Sequence, residues 1–308
     1  METNNIIKTS GIDKFYSGAQ ILSDVNLEVP KGAIYGFLGK NGAGKTTTLK
    51  IITGLIKPDS GECLVFDKNI RTHREEILAR AGAIIETPGF YSNLTARENL
   101  TLFKSYFGKK DDDAARINEC LELVELTDES KVFEKFSLGM KQRLGIAFAL
   151  LNKPELLILD EPANGLDPEG IIKIRELIKN LAHRHNITII ISSHILSEIE
   201  QIATHIGIID KGKLIRQGRM EELLNEGISE YTITVSDIQK AKNIVIQNIH
   251  PKFDEQRNEI KVRLSKQASS NLVKQLLNND VEVYSLSYSN NLEELFFNLT
   301  SSSKENAA

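Results

Sequence analysis

Residues 39 to 46 read G-K-N-G-A-G-K-T and combine three glycines with lysine and threonine. Glycines let successive backbone N–H groups turn toward one cluster of negative charge, and a helix that starts here adds its positive dipole end. Lys45 would reach the β- and γ-phosphates of a nucleotide, and the Thr46 hydroxyl would bind Mg²⁺. The predicted nucleotide contacts of this loop are Gly39, Lys40, Asn41, Gly42, Ala43, Gly44, Lys45, Thr46 and Thr47.

A pair of carboxylates ends the apolar segment L-L-I-L-D-E, at Asp160 and Glu161. Because ligands of open α/β sheets bind outside the carboxyl ends of the strands, a strand here would deliver both carboxylates to a ligand. Asp160 would hold Mg²⁺, directly or through water, and Glu161 would orient or deprotonate an attacking water. An ordinary strand followed by an exposed acidic turn also fits this segment alone. Its combination with the phosphate loop favours the catalytic interpretation.

A second helix start with anion-binding character lies at F-S-L-G-M-K-Q-R, residues 136 to 143. Ser137 is a suitable N-cap, and Gly139 leaves the first turn open to a ligand. A capped helix with a polar first turn explains the segment equally well by itself. Its position shortly before L-L-I-L-D-E favours a ligand-binding role.

These segments require a scaffold that places strand ends and helix starts together. Short apolar runs alternate with helical patterns, which predicts an α/β domain with a mainly parallel sheet. The segment from about 88 to 151 lacks strand patterns and predicts a helical subdomain. The predicted core strands are Ala33 to Leu38, Ala83 to Ile85, Leu156 to Asp160, Thr188 to Ser192 and His205 to Asp210.

The pattern changes after a helical segment that ends near residue 227. From Tyr231 the order strand, helix, two strands, helix and strand is typical of a split β-α-β unit. We therefore predict a first domain over 1–227, a small α+β domain over 228–300 and a flexible tail over 301–308.

Composition limits the classes of function. The chain has 308 residues and a formal net charge of −4, which supplies no basic field for nucleic acid. Cys63 and Cys120 are far apart and match neither a disulfide framework nor a zinc site. The N-terminus shows no signal peptide, and no run approaches the roughly 18 to 20 apolar residues of a membrane span.

The ordered motifs resemble those of the ATP-binding subunits of ABC transporters. Besides the Walker A loop and the Walker B strand, the chain has a signature-like F-S-L-G-M. It also has Asp167 in a D-loop-like E-P-A-N-G-L-D, and His194 in S-S-H at the position of the switch histidine. Tyr16 matches the aromatic residue that stacks on adenine. The resemblance covers about residues 5 to 220 and implies a P-loop ABC cassette fold.

The resemblance also implies partners and cofactors. Two cassettes, expected to be identical, would dimerise head to tail, with ATP and Mg²⁺ between the loop of one and Ser137, Gly139 and Met140 of the other. Glu161 and His194 would be catalytic, and Thr46, Glu86 and Asp160 would surround the metal. ATP would close this dimer and hydrolysis would reopen it, and this motion would drive separate transmembrane permease subunits. The chain would be peripheral, at the cytoplasmic face of the membrane. No nucleic acid partner is expected.

Two departures from the family pattern bear on which kind of ABC transporter this subunit serves. The signature serine is followed by Leu138, Gly139 and Met140, so one glycine and a glutamine are missing. Glu86 replaces the glutamine that meets the metal site and the membrane subunit. A substitution without consequence fits Glu86, but E-T-P-G-F-Y with the additional C-terminal domain resembles lantibiotic-immunity and bacitracin-resistance transporters. In that interpretation Glu86 couples hydrolysis to the export of a peptide antibiotic.

Two other functions remain open at this level. A soluble ABC ATPase acting on nucleic acid or ribosomes would usually carry two cassettes or a long coiled coil, and this chain has neither heptads nor a basic balance. A nucleotide-dependent regulator would use the C-terminal domain as its effector.

Overall fold

The computed structural model of the chain describes residues 4–86, 89–106, 113–127, 130–226, 229–245, 251–289 and 291–305. Strands and helices are numbered along the chain. It divides into two compact units, Met1–Met220 and Glu221–Ala308. The division after residue 220 lies a few residues before the domain boundary that the sequence predicts, between residues 227 and 228. Residues 227 and 228 lie outside the described part.

A six-stranded sheet forms the centre of the first unit, in the order β11-β10-β4-β9-β8-β7. Its inner strands pair in parallel, and only β11 is antiparallel to its neighbour β10. The strands are β4 (Ile34–Leu38), β7 (Ala81–Ile84), β8 (Leu156–Asp160), β9 (Thr188–Ser193), β10 (His205–Asp210) and β11 (Lys213–Arg219). The predicted mainly parallel sheet is therefore confirmed, although β7 starts and ends earlier than expected.

Burial explains why these segments form strands. All residues of β4 and β9 are buried, as are the first four residues of β8. A parallel sheet is covered on both faces, so its strands consist of continuous apolar runs rather than alternating ones. At β10–β11 the chain reverses through Lys211 and Gly212, both at positive φ, which is the conformation that a tight hairpin requires.

Helices cover this sheet and form most of the segment from 89 to 151. A short 3-10 helix, Phe133–Lys135, precedes α5. Aromatic rings of Phe90, Phe103 and Phe148 pack edge to face between these helices. The helices up to the end of the first unit are α1 (Lys45–Ile52), α2 (Arg74–Ala79), α3 (Ala96–Tyr106), α4 (Asp113–Leu123), α5 (Leu138–Leu150), α6 (Pro168–His185), α7 (Leu196–Glu200) and the start of α8 (Met220–Glu226).

A second sheet in the first unit was not predicted from the sequence. It is antiparallel and has five strands. Its first strand alternates buried and exposed residues imperfectly and contains Gly11 at positive φ, so the segment lacks the continuous apolar pattern of the parallel core. The strands are β1 (Asn5–Tyr16), β2 (Ala19–Val25), β3 (Glu28–Pro30), β5 (Ser60–Val65) and β6 (Lys68–Asn69).

The second unit contains a four-stranded antiparallel sheet in the order β13-β14-β12-β15. The first strand thus lies between the third and the fourth, as in the predicted split β-α-β arrangement. Ile233, Ile260 and Leu276 are fully buried in its core. Its elements are β12 (Ser229–Val235), α9 (Ile238–Val245), β13 (Lys252–Asp254), β14 (Glu259–Leu264), α10 (Lys266–Asn278), β15 (Val283–Ser289) and α11 (Leu292–Glu305).

The C-terminal helix enters the segment that the sequence predicts to be a flexible tail, residues 301–308. α11 continues through residue 305. Leu292 is buried at the start of this helix and Thr300 near the expected boundary. Residues 306–308 lie outside the described part.

A close contact in the first unit predicts the effect of one substitution. A Cβ at Gly82 in β7 would lie 2.2 Å from the backbone oxygen of Ala149 in α5. Because backbone must move to accept it, Gly82→Ala is expected to destabilise the first unit by about 1–3 kcal/mol. Chemical denaturation followed by far-UV circular dichroism measures the shift. Gly89→Ala is the matched control, since a Cβ there meets no atom within 4 Å; equal effects of the two changes would contradict the prediction.

Candidate nucleotide site

The carboxyl ends of three neighbouring strands collect the polar groups of the first unit. In the parallel register, Asp160 at the end of β8 lies opposite Ser192 of β9, and Ser192 lies opposite Phe37 of β4. The phosphate-loop sequence continues directly from β4 into α1. The loop, the acidic pair and the S-S-H segment therefore meet at one sheet edge, which is the ligand-binding edge of open parallel sheets.

The loop has the backbone of a phosphate cradle. Gly42 and Gly44 have positive φ values of 78° and 110°. A Cβ at Gly39 would lie 2.5 Å from the backbone oxygen of Ile209, so the loop packs tightly against β10. Lys45 is buried, and its Nζ donates to the Gly39 oxygen at 2.7 Å. Its ammonium also lies 3.1 Å from Glu161 Oε1.

Asp160 connects the loop to β9. Its Oδ2 accepts a hydrogen bond from Thr46 Oγ1 at 2.7 Å, and its Oδ1 accepts one from Ser192 Oγ at 2.5 Å. Ser192 is fully buried and also accepts a hydrogen bond from the Glu161 backbone N–H at 2.9 Å. One hydroxyl thus orients both members of the acidic pair. The sequence analysis quoted S-S-H but assigned Ser192 no role, because its place opposite Asp160 follows from the register of the strands.

Glu161 is held between two basic groups. Its Oε2 lies 2.7 Å from His194 Nδ1, and its Oε1 contacts Lys45. The register puts Ser192 beside Asp160, and His194, two residues further along, reaches the next carboxylate. Glu161 has a φ of 48°, a conformation that is uncommon for non-glycine residues and concentrates at functional sites.

The donor set at this edge fits Mg²⁺ in part. The Thr46 hydroxyl and the Asp160 carboxylate lie together, and Mg²⁺ prefers oxygen ligands while keeping water or phosphate in its other positions. No cluster of three or more His, Cys, Asp or Glu side chains suited to a metal occurs in the described ranges. A metal here would therefore depend on substrate phosphates and water as further ligands.

Glu86, the third expected metal ligand, forms an ion pair. Its Oε1 lies 2.6 Å from Nζ of Lys50 on α1, the helix whose first residues are Lys45 and Thr46. This hydrogen bond is the main reason that the pKa of Lys50 is raised, and Tyr16 and Asp160 add smaller effects of the same sign. Glu86 has a φ of 70°. The structure thus connects Glu86 to the loop helix, an interaction that sequence reasoning missed.

Tyr16 ends β1, and its ring is half-exposed. The ammonium of Lys14 lies 5.5 Å from the ring centre. An accessible aromatic face in this position suits stacking on a planar base.

The signature-like residues line a cavity that no described residue of the phosphate loop borders. Ser137 caps α5 by accepting a hydrogen bond from the Met140 N–H at 3.3 Å. Asp167 caps α6 in the same way, through the Gly170 N–H at 3.0 Å. Both caps, with Gly139 and Met140, border a cavity of about 340 Å³. No residue of the loop 39–47 is among the described residues that line it.

Comparison with known proteins agrees with this geometry. The family profile described as ABC transporter matches residues 22–164. The bacitracin transport ATP-binding protein BcrA of Bacillus licheniformis is 47% identical over 300 residues, covering 96% of this chain and 97% of that protein. The lantibiotic transport ATP-binding protein SrtF of Streptococcus pyogenes is 42% identical over 229 residues, covering 72% of this chain and 97% of that protein.

Solved structures extend the similarity to the fold. CbiO1 of Clostridium perfringens, part of the cbiONQ transporter complex, has a TM-score of 0.66 and 28% identity, covering 72% of this chain and 92% of that one. A dimeric ATP-binding cassette in a post-hydrolysis state with ADP and phosphate has a TM-score of 0.62 and 27% identity, covering 70% and 98%. The chain therefore belongs to the ABC transporter family, as an ATP-binding and ATP-hydrolysing subunit.

Proposed function

We propose that this subunit powers the export or membrane clearance of a peptide antibiotic of the bacitracin or lantibiotic type. The observation that carries the catalytic part is the row Lys45–Glu161–His194 at the carboxyl ends of β4, β8 and β9. The substrate class is supported by relatives whose names specify bacitracin and lantibiotic transport and which align along nearly all of their own length.

The row of charges defines what each residue does when ATP binds. Lys45 would exchange its contact with Glu161 for the β- and γ-phosphates, since phosphate carries more negative charge than a single carboxylate. Glu161, still held by His194 and by its backbone bond to Ser192, is then free to accept a proton from the attacking water. Mg²⁺, when bound by Thr46 and Asp160, would neutralise charge that develops on the phosphates.

The second half of the site is proposed to come from a second cassette. Ser137 and Gly139 open α5 toward a cavity that contains no described residue of the loop 39–47, so within one chain the described residues of the two anion-binding elements line no common cavity. A head-to-tail homodimer would bring the helix start of one copy to the γ-phosphate held by the other. Asp167, which borders the same cavity, would lie at this contact. A dimer among structurally similar cassettes supports the arrangement.

The membrane part is proposed to reside in separate permease subunits. Among the described residues, no helix has the length and apolar character needed to span a bilayer. The chain would act from the cytoplasmic face, and the Glu86–Lys50 pair would relay the state of the loop helix to the permease. Rigid α1 joins the two ends of that path, with Lys45 and Thr46 at its start and Lys50 in its second turn.

The catalytic role of Glu161 is tested by Glu161→Gln. Loss of the general base should lower kcat by about 100- to 10,000-fold while ATP binding persists, so the variant should accumulate as an ATP-bound dimer. Phosphate release and size-exclusion chromatography with light scattering measure the two effects. Glu176→Gln is the control, because Glu176 lies on the exposed side of α6 and pairs only loosely with Lys179. Wild-type turnover of Glu161→Gln would refute the role.

The coupling role is tested by Glu86→Gln and Lys50→Gln, which break one ion pair from either side. Resistance of cells to the peptide should change strongly in both variants, whereas ATP affinity should stay within about twofold, or ~0.4 kcal/mol. Minimum inhibitory concentrations and nucleotide binding are measured in parallel. Glu76→Gln removes an exposed ion pair with Lys68 and serves as the control, since such pairs contribute little. Unchanged resistance would exclude coupling through Glu86.

A further inference from the structure

The two edges of the C-terminal sheet differ in how they are protected. At one edge, β13 has only three residues and carries Lys252 and Asp254. At the other, β15 spans seven residues from Val283 to Ser289 without a charge or a proline. Proteins normally protect free edges with short strands, charges or prolines. β13 has such protection, and β15 lacks all three forms of it.

Large side chains on β15 are exposed. Tyr284, Leu286 and Tyr288 are 66%, 45% and 61% exposed. In the register with β12, Leu286 lies beside Ile233 and Tyr288 beside Tyr231, which are both buried in the core. Leu286 and Tyr288 therefore lie on the face whose inner strands are covered, and they extend this apolar surface to the sheet edge. A further strand paired with β15 would cover the exposed side chains of Leu286 and Tyr288.

The residues of this edge are arranged symmetrically. Residues 284 to 288 read Y-S-L-S-Y, which is the same in both directions about Leu286. If two copies of this strand pair in antiparallel fashion around a two-fold axis at Leu286, leucine lies opposite leucine. Each Tyr284 then lies opposite Tyr288 of the other copy, and each Ser285 opposite Ser287. No like charges meet, and aromatic pairs across strands are favourable.

We propose that β15 pairs with β15 of a second copy of the chain, so that the two C-terminal sheets become one continuous eight-stranded sheet. The contact is isologous, as a two-fold homodimer requires. It rests on the proposed homodimer of cassettes and adds a second contact to it, through a domain to which the sequence resemblance assigned no role.

The strand contact is too small to hold a dimer by itself. Five paired residues bury little surface, and two strands alone are marginally stable in water. Within a cassette dimer, however, this second contact becomes intramolecular, and a weak strand pair gains effective concentration if the linkers let the two units meet. The strand pair would therefore strengthen the association of two subunits that ATP has brought together.

Site-directed disulfide formation in the full-length chain tests the pairing. Directly opposed residues in antiparallel strands have Cα atoms about 4.5–5.5 Å apart, within the range of a disulfide. Leu286→Cys should therefore form a disulfide dimer on mild oxidation in the presence of ATP, which closes the proposed cassette dimer. Burial raises the pKa of the native Cys63 thiol to about 12 and that of Cys120 to about 11, so the unmodified chain provides a low background.

Two exposed tyrosines provide the matched controls. Tyr284→Cys and Tyr288→Cys should each form little disulfide-linked dimer. Four residues at about 3.4 Å each place the two copies of the same cysteine about 14 Å apart along the paired strands. An equal mixture of the two variants should form dimers, at least about tenfold more than either alone, since the mixture meets the disulfide geometry. This pair also tests the proposal if Leu286→Cys folds poorly, which circular dichroism would detect.

The outcomes separate this proposal from the function on which it rests. Suppose that Glu161→Gln forms an ATP-bound dimer, while neither Leu286→Cys nor the mixture of Tyr284→Cys and Tyr288→Cys forms a disulfide. The strand pairing is then wrong and the cassette dimer stands. Equal dimer formation by all three cysteine variants indicates random collision and also overturns it. If Glu161→Gln itself fails to dimerise with ATP, the proposed homodimer is wrong, whatever the cysteines show.

Discussion

A fully buried parallel sheet has no room for charge along its length, and this constraint organises the whole site. β4 and β9 are buried throughout, and the charged groups of the site follow the ends of the strands. Charged groups buried without partners are very costly, and Lys45, Asp160 and Glu161 all have partners. Lys45 contacts Glu161, Glu161 contacts His194, and Asp160 accepts from Thr46 and from the hydroxyl of β9.

In the proposed mechanism, the same arrangement would connect nucleotide binding to conformation. Lys45 contacts Glu161, the proposed general base, so phosphate would displace that contact before the base acts. At its other end α1 carries Lys50, paired with Glu86. Both acidic residues have left-handed backbone conformations, which persist only where surrounding contacts hold them. Helix α1 carries the partner of each carboxylate, Lys45 for Glu161 and Lys50 for Glu86.

Incomplete surfaces recur in the two units. In the first, the start of α5 is capped and open toward a cavity that no described loop residue borders. In the second, β15 presents an uncharged edge with half-exposed leucine and tyrosine. The proposed second copy of the chain would account for both features. One contact would depend on ATP, and the other would use the shape and symmetry of a strand within the cassette dimer.

Local patterns in the sequence determined the ligand chemistry and most of the parallel sheet. The glycine-rich loop, the run before Asp160 and the cap at Ser137 each lie within a few residues, where backbone preference and hydrophobic pattern decide the structure. The antiparallel sheet and the helical residues 301–305 were missed, because their local patterns are weak. Only the tertiary structure decided that Ser192 lies opposite Asp160, that Lys50 holds Glu86 and that β15, with its exposed leucine and tyrosines, is an edge strand of the described sheet. These facts depend on the register and packing of segments far apart in the chain, which no local pattern encodes.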